Sequence, residues 1–284
     1  MQRILSTYRY VNQPLAPDLL ASIASAGIPA IEIFCESEHF GYASPQAVRE
    51  FDARLDEYGI KLQSLHAPTE RSAGAGRSSG APISISDPER IRRVDAMDEV
   101  KRALEVAETI PFRYLIQHMA TSRQPADPRT LDAAFSSLEH LVLFAKQRGV
   151  VIAIENTPNE FGSPESLAQF VKETRLNDLR FCFDLGHAHI GEGVPAGFEL
   201  MRDRIVTVHV HDNHGESDEH LLPFDGTIDW DSVLGALSGA PQSPALVLEL
   251  KERSPGVPSL DQIRTAFDKI ERHLDEKGVS AAHT

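Results

Sequence analysis

Cysteine is nearly missing from this chain: Cys35 and Cys182 are its two examples among 284 residues. Both sit in apolar runs, IEIFCE and RFCFD, and read as packing thiols. That excludes a disulfide framework, and a reducing cytoplasm is the expected compartment. Basic charge is also short. There are 28 Lys and Arg against 42 Asp and Glu, a formal net charge of −14. Such a surface repels phosphate backbones and counts against a nucleic-acid partner. No apolar run reaches membrane-spanning length. The opening residues, MQRILSTYRYVNQP, hold neither an apolar signal core nor a small-residue cleavage site, so no signal peptide is expected. A Gly-rich phosphate loop after an early strand, the mark of a doubly wound nucleotide fold, is lacking too.

What the chain does have is a repeated ending. The runs LQSLHA, YLIQHMA, VIAIENTP, FCFDLGHAH, VTVHVHDN and LVLEL bring His66, His118, Glu155, Asp184, His209 and Glu249 to strand ends. Packing gives a buried strand no use for an imidazole or carboxylate there. Six such endings imply ligands converging at the C-terminal mouth of a parallel barrel. Strands are expected over residues 3–7, 29–35, 61–66, 113–119, 150–156, 179–184, 205–211 and 245–250. Helical period falls between them, at 45–58, 88–108, 128–148 and 259–277. Ser44-Pro45, Asp87-Pro88, Asp127-Pro128 and Ser163-Pro164 each set a capping side chain before a first-turn proline. Gly27, Gly59 and Gly149 stand where helices should stop. Eight alternations predict an α/β fold, a (β/α)8 TIM barrel forming a single domain over residues 1–284. Residues 67–86, rich in Gly, Ser and Ala, read as a lid over the mouth.

Glu155, Asp184, His209 and Glu249 come from four consecutive strands. Three carboxylates and one imidazole suit a divalent cation such as Zn2+, Mn2+, Co2+ or Fe2+. His66, His118, His187, Asp218 and His220 flank them and are candidates for further metals or for orienting substrate oxygens. His189 and His211 read as packing or supporting residues, and His214 as solvent-facing. Glu36 is placed to reach the mouth. The remaining histidines, His39, His140, His273 and His283, read as surface or helix residues.

The pieces AIENTP, FDLGHAHI, HVHDN, SDEHLLPFDGTIDW and LVLEL resemble the xylose isomerase-like TIM-barrel superfamily, across nearly the whole chain. That superfamily includes sugar isomerases, epimerases and endonuclease IV. The resemblance implies that Glu155, Asp184, His209 and Glu249 hold a central divalent metal, with zinc or manganese expected. It implies Glu155 and Glu249 as the acid/base pair that moves a proton α to a carbonyl through an enediolate. It implies substrate contacts for His187, His66 and His118. In endonuclease IV the same nine positions hold three zinc ions, which makes His66, His118, His187, Asp218 and His220 additional ligands and abasic DNA the alternative substrate.

Two functions therefore stand: a divalent-metal-dependent sugar isomerase or epimerase, and a zinc phosphodiesterase, with one to three ions between them. The acidic charge and the GTIDW segment favour a small sugar or polyol. So does a lid sequence holding Arg71 and Arg77 but no aromatic wedge. HVHDNHGESDEH has no Arg, although epimerases of this group often place one after the seventh-strand His, so their substrate specificity does not carry over. A homodimer or homotetramer is the assembly that the resemblance implies.

Overall fold

The computed structural model describes residues 2–70, 82–121, 124–251 and 258–276. Eight parallel strands close a barrel in chain order. They are β1 (Ile4–Ser6), β2 (Ala30–Phe34), β3 (Lys61–His66), β4 (Tyr114–His118), β5 (Val151–Glu155), β6 (Arg180–Asp184), β7 (Ile205–Val210) and β8 (Ala245–Leu248). Each lies within two residues of its expected bounds. Glu249 falls just past β8, and its N–H donates to the Val210 carbonyl at 3.1 Å. β8 pairs with β1, so the sheet has no free edge.

The helices are α1 (Pro17–Ser25), α2 (Pro45–Tyr58), α3 (Arg90–Glu105), α4 (Pro128–Lys146), α5 (Pro164–Thr174), α6 (Leu185–Ile190), α7 (Val194–Met201), α8 (Trp230–Ser238) and α9 (Leu260–Glu276). Strand alternation divides the core in two. On β2, Ile31 and Ile33 join the large outer cluster with helix residues such as Leu20, Ile23 and Phe51. Ala30 turns inward to meet Ile4 and Val247. With Tyr114, Ile116, Ala153, Cys182 and Val206, these inner residues plug the barrel toward the strand N-termini. Polar inward residues are thereby confined to the other end.

Three of the four expected caps are in place. Ser44 accepts from the Ala47 N–H, Asp127 from those of Arg129 and Thr130, and Ser163 from that of Ser166. Asp87 departs from expectation. Its carboxylate takes the Glu89 N–H at 2.8 Å in a preceding turn, and α3 starts later with Glu89 at its N-cap and no side-chain cap. Gly59 ends α2 at φ +65°, a conformation that strains any other residue. His39 also corrects the sequence reading: it is buried, with Nδ1 2.6 Å from the Gln13 carbonyl and Nε2 2.9 Å from Thr7 Oγ1. It ties the loop after β2 to that after β1.

Two register slips interrupt the barrel, and both feed its polar end. Ile31 pairs with Leu62 but Glu32 with Ser64, which leaves Gln63 as an extra residue on β3. Phe181 pairs with Ile205 but Cys182 with Thr207, which makes Val206 extra on β7. Bulges re-aim side chains. The first sets Ser64 beside Glu32, and the second sets His209 beside Asp184.

Of the segment 67–86, residues 71–81, with Arg71 and Arg77, lie outside the described residues. Residues 82–86 are tied down: Gln124 Oε1 accepts from the Ser86 hydroxyl at 3.3 Å and the Thr121 N–H at 2.9 Å, and Ser137 donates to the Ile85 carbonyl at 2.6 Å. Among the described residues no helix is long and apolar enough to cross a membrane.

The caps have a measurable worth. Ser163→Ala frees one N–H at the start of α5 and should lower stability by about 1 kcal/mol, read as a shift of the urea midpoint at unchanged slope.

Candidate metal centre

Glu155 is the hub of the mouth. It ends β5 with its side chain buried. Its Oε2 lies 3.3 Å from His66 Nε2 and 3.1 Å from His118 Nε2. Its Oε1 lies 3.1 Å from His209 Nδ1. Asp184 Oδ2 and Glu249 Oε2 face the same His209 nitrogen at 3.8 and 3.3 Å. One donor atom from each of Glu155, Asp184, His209 and Glu249 falls within a 4.8 Å span. His66, His118 and Glu155 form a second such set. His187, His211, Asp218 and His220 form a third. All nine residues expected from sequence are thus brought to one end of the barrel.

Backbone carbonyls orient three of the imidazoles. His66 donates Nδ1–H to Ala67 at 2.9 Å, His187 to Asn156 at 2.8 Å, and His220 to Glu249 at 3.2 Å. A carbonyl only accepts, so each ring keeps a proton on Nδ1 and, when neutral, presents a bare Nε2 to the site. For His187 and His220 that nitrogen faces Asp218, at 3.7 and 2.9 Å. His209 is turned the other way, with Nδ1 toward the carboxylates and Nε2 3.0 Å from Glu32.

The loop between β7 and α8 carries Asp218 and His220, and buried Asp212 holds it. Asp212 accepts from the N–H groups of Asn213, Phe224 and Ile228 and from the Trp230 indole at 2.8 Å. A Cβ on Gly226 would lie 2.3 Å from its Oδ1, so only glycine fits there. His220 is held at φ 49°, a left-handed conformation uncommon for a bulky residue and frequent at functional sites.

His211 is more closely involved than its sequence position implied. Its Nε2 lies 3.1 Å from both oxygens of Asp184, and its ring stacks on His220 at 4.0 Å. His189 meets Thr227 at 2.9 Å, and His214 meets Glu219 at 2.7 Å. Asn156, whose role went unread, clasps β5 to β6: its Oδ1 takes the Asp184 N–H at 2.7 Å and its amide donates to the Asp184 carbonyl at 3.0 Å. Tyr8 was missed entirely. It follows β1, packs 4.8 Å from the Phe34 ring and 5.4 Å from His220, and lines the cavity.

Burial pushes the Glu155 carboxyl up, but His209 and His118 outweigh that and hold it well below the carboxylate range. Burial likewise acts on Asp184 and Asp218, and His187 with His211 or His220 again prevails. The imidazoles shift the opposite way. Burial disfavours their charge, yet Asp184, Asp218 and Glu155 bring His187 up to about 10. His209 also lies well above its ordinary value, because Cys182, Glu249, Glu155 and Glu32 together outweigh burial. The Tyr8 hydroxyl is pushed up to about 12 by burial and then by Glu249 and Asp218, so it is neutral and able to donate.

These residues fit a divalent cation. The donors are carboxylates and imidazoles, the set that zinc and manganese take. Buried Asp218 Oδ1 has no hydrogen-bond partner among the described residues, a cost that a cation removes. Above the ring opens a cavity of about 860 Å3, walled by Tyr8, Phe34, Glu36, Gln117, Thr121 and Asn159 among others. Its described lining contains no Lys or Arg.

The family model described as xylose isomerase-like TIM barrel matches residues 20–273. The chain belongs to the xylose isomerase-like TIM barrel family. Its curated relatives within reach include an uncharacterised protein of Methanocaldococcus jannaschii, 29% identical over 269 residues that cover 91% of this chain and 87% of that protein. Among solved structures, a D-tagatose 3-epimerase-like protein superposes with TM-score 0.79 at 26% identity, covering 99% of this chain and all of that one. A D-psicose 3-epimerase in the presence of D-fructose superposes at 0.78 and 15% identity, covering 96% and 99%, which shows a shared fold. Several structural neighbours of this xylose isomerase-like barrel are therefore sugar epimerases.

The raised imidazoles set a pH dependence. A group whose folded pKa exceeds its unfolded value stabilises the fold below the unfolded value and stops doing so as pH rises through the folded one. For His187 that window runs from 6.5 to about 10. The urea midpoint of chelator-treated protein should therefore fall across it, and cation-loaded protein should show a flatter profile. A flat profile without metal contradicts the assigned charges.

Proposed function

We propose that this chain is a divalent-metal-dependent sugar isomerase or epimerase. The observation that carries the reading is the convergence of Glu155, Asp184, His209 and Glu249 beneath an open cavity that Glu155 and Glu249 line and whose described wall holds no Lys or Arg. A phosphorylated substrate needs positive partners, whereas a neutral sugar or polyol needs hydrogen-bonding walls of the kind that Asn12, Thr69, Gln117, Thr121 and Asn159 supply. The epimerase neighbours point the same way.

A divalent cation held by those four residues supplies the Lewis acidity that a carbonyl and its adjacent hydroxyl need for loss of the α-proton. The side chains do the rest. Glu249 and Glu155 descend from β8 and β5, and each has a carboxylate oxygen within 3.3 Å of His209 Nδ1. One removes the proton α to the carbonyl and the other returns a proton, giving an isomer or an epimer according to the carbon and face that receive it. His187 presents Nε2 to a substrate hydroxyl. Tyr8, neutral at working pH, donates a hydrogen bond from the rim. His66 and His118 hold Glu155 in place and border the same cavity. A homodimer or homotetramer in the cytoplasm is the proposed setting, compatible with two buried thiols.

A second reading rests on one observation. Glu155 stands with one oxygen toward His66 and His118 and the other toward His209, so it belongs to two of the donor sets at once. A zinc phosphodiesterase of the endonuclease IV kind would hold ions in both sets, and they would supply a nucleophilic hydroxide and neutralise the phosphate. The net charge of −14 and the lining without described cations weigh against DNA as its substrate.

The test uses free ketohexoses and ketopentoses in deuterated water. The metal-loaded protein should place deuterium on the carbon beside the carbonyl, seen by NMR. Glu249→Gln and Glu155→Gln should each lower that exchange by about 10²–10⁴-fold. Exchange at the wild-type rate in both variants contradicts the assignment.

A further inference from the structure

Glu32 is a buried carboxylate with no role in the proton transfer described above. It lies on β2, between Ser6 and Ser64 in the sheet register, and its side chain is fully enclosed. Its Oε2 accepts from the Ser64 hydroxyl at 2.6 Å. Its Oε1 lies 3.0 Å from His209 Nε2. Among the described residues that oxygen and that nitrogen make no aligned hydrogen bond, with each other or with any other group, so the 3.0 Å contact is an ion-pair approach that a small turn of either side chain would convert into a hydrogen bond.

We propose that Glu32 is a positioning residue that fixes the ring and the tautomer of His209 for cation binding. The inference rests on the metal reading given above. His66, His187 and His220 donate Nδ1–H to backbone carbonyls, which leaves Nε2 toward the site. His209 must work in reverse, because its Nδ1 faces Glu155, Asp184 and Glu249. A cation can use that nitrogen only if it carries no proton, so the remaining proton of neutral imidazole has to sit on Nε2. A carbonyl could accept that proton, but no described carbonyl is paired with Nε2; a carboxylate lies there instead. Carboxylates that accept from a ligand imidazole fix its orientation and raise its basicity.

The bulge at Gln63 completes the device. By moving Ser64 opposite Glu32, it supplies a donor for the second carboxylate oxygen, and that hydrogen bond leaves Oε1 on the His209 side, 3.0 Å from Nε2. A carboxylate enclosed this fully is costly unless each oxygen finds a donor. Among the described residues Ser64 supplies that donor for Oε2, and the His209 ring lies 3.0 Å from Oε1.

The experiment measures zinc affinity of the full chain by competition with a chromophoric chelator, together with the visible spectrum of the cobalt-loaded protein. Glu32→Gln keeps the shape but lets an amide N–H face His209, which favours the wrong tautomer. It should weaken zinc binding by about 10–100-fold and alter the cobalt bands, with the near-UV circular dichroism of metal-free protein unchanged. Ser64→Ala, which removes only the support, should lose affinity in the same direction by a smaller factor, and it carries the test if Glu32→Gln does not fold. Wild-type affinity and spectrum in either folded variant overturn the proposal while leaving the metal reading intact. Wild-type protein that binds no divalent cation would instead remove the metal reading itself.

Discussion

One buried carboxylate sets the terms for the rest of the mouth. Glu155 is enclosed, and an isolated charge in that position is not tolerable. Imidazoles surround it: His66, His118 and His209 within 3.3 Å of its oxygens, and His187 at 3.6 Å. Each of these rings needs a defined face, and the barrel supplies it through fixed partners deeper in the structure. The Ala67, Asn156 and Glu249 carbonyls hold three imidazoles, Glu32 stands behind a fourth, and Asp212 pins the loop that delivers Asp218 and His220. Two register slips, at Gln63 and Val206, bring strands β3 and β7 into the alignment that this network uses.

The network is electrostatically coherent only with positive charge inside it. Without a cation, protons on His187 and His209 perform that task, which is why both lie above their ordinary values. A divalent ion bound there would compete with those protons for the same nitrogens, so its binding would release protons. The apolar plug beneath, Ile4, Ala30, Val247, Ile116 and their neighbours, keeps water out of the barrel and fixes the floor on which the donors stand.

The convergence of these side chains on the barrel mouth was legible in the sequence because a His or Glu at the end of a buried run has no packing explanation. The barrel followed from the same alternation of strand and helix. Other features left no periodic trace. Asn156 and Asp212 act on backbone groups, and such hydrogen bonds carry no spacing rule. Tyr8 sits after a three-residue strand, where a lone aromatic reads as packing. Glu32 lies in the middle of β2, where a single acidic residue carries no spacing signal, and its partner His209 lies five strands further on. His39 read as a surface or helix residue because its partners, the Gln13 carbonyl and the Thr7 hydroxyl, come from another loop. At Asp87 the capping pattern was genuine but served a turn ahead of α3, since a carboxylate accepts an N–H two residues on in either setting.

The central claim is that this ring holds a divalent cation for sugar chemistry. Elemental analysis of protein purified without added metal or chelator tests it most directly. The account predicts about one manganese, cobalt or zinc ion per chain, held in the ring of Glu155, Asp184, His209 and Glu249. No bound ion, even after incubation with manganese or zinc, contradicts it outright; three zinc ions per chain contradict the sugar assignment and transfer the case to phosphodiester hydrolysis.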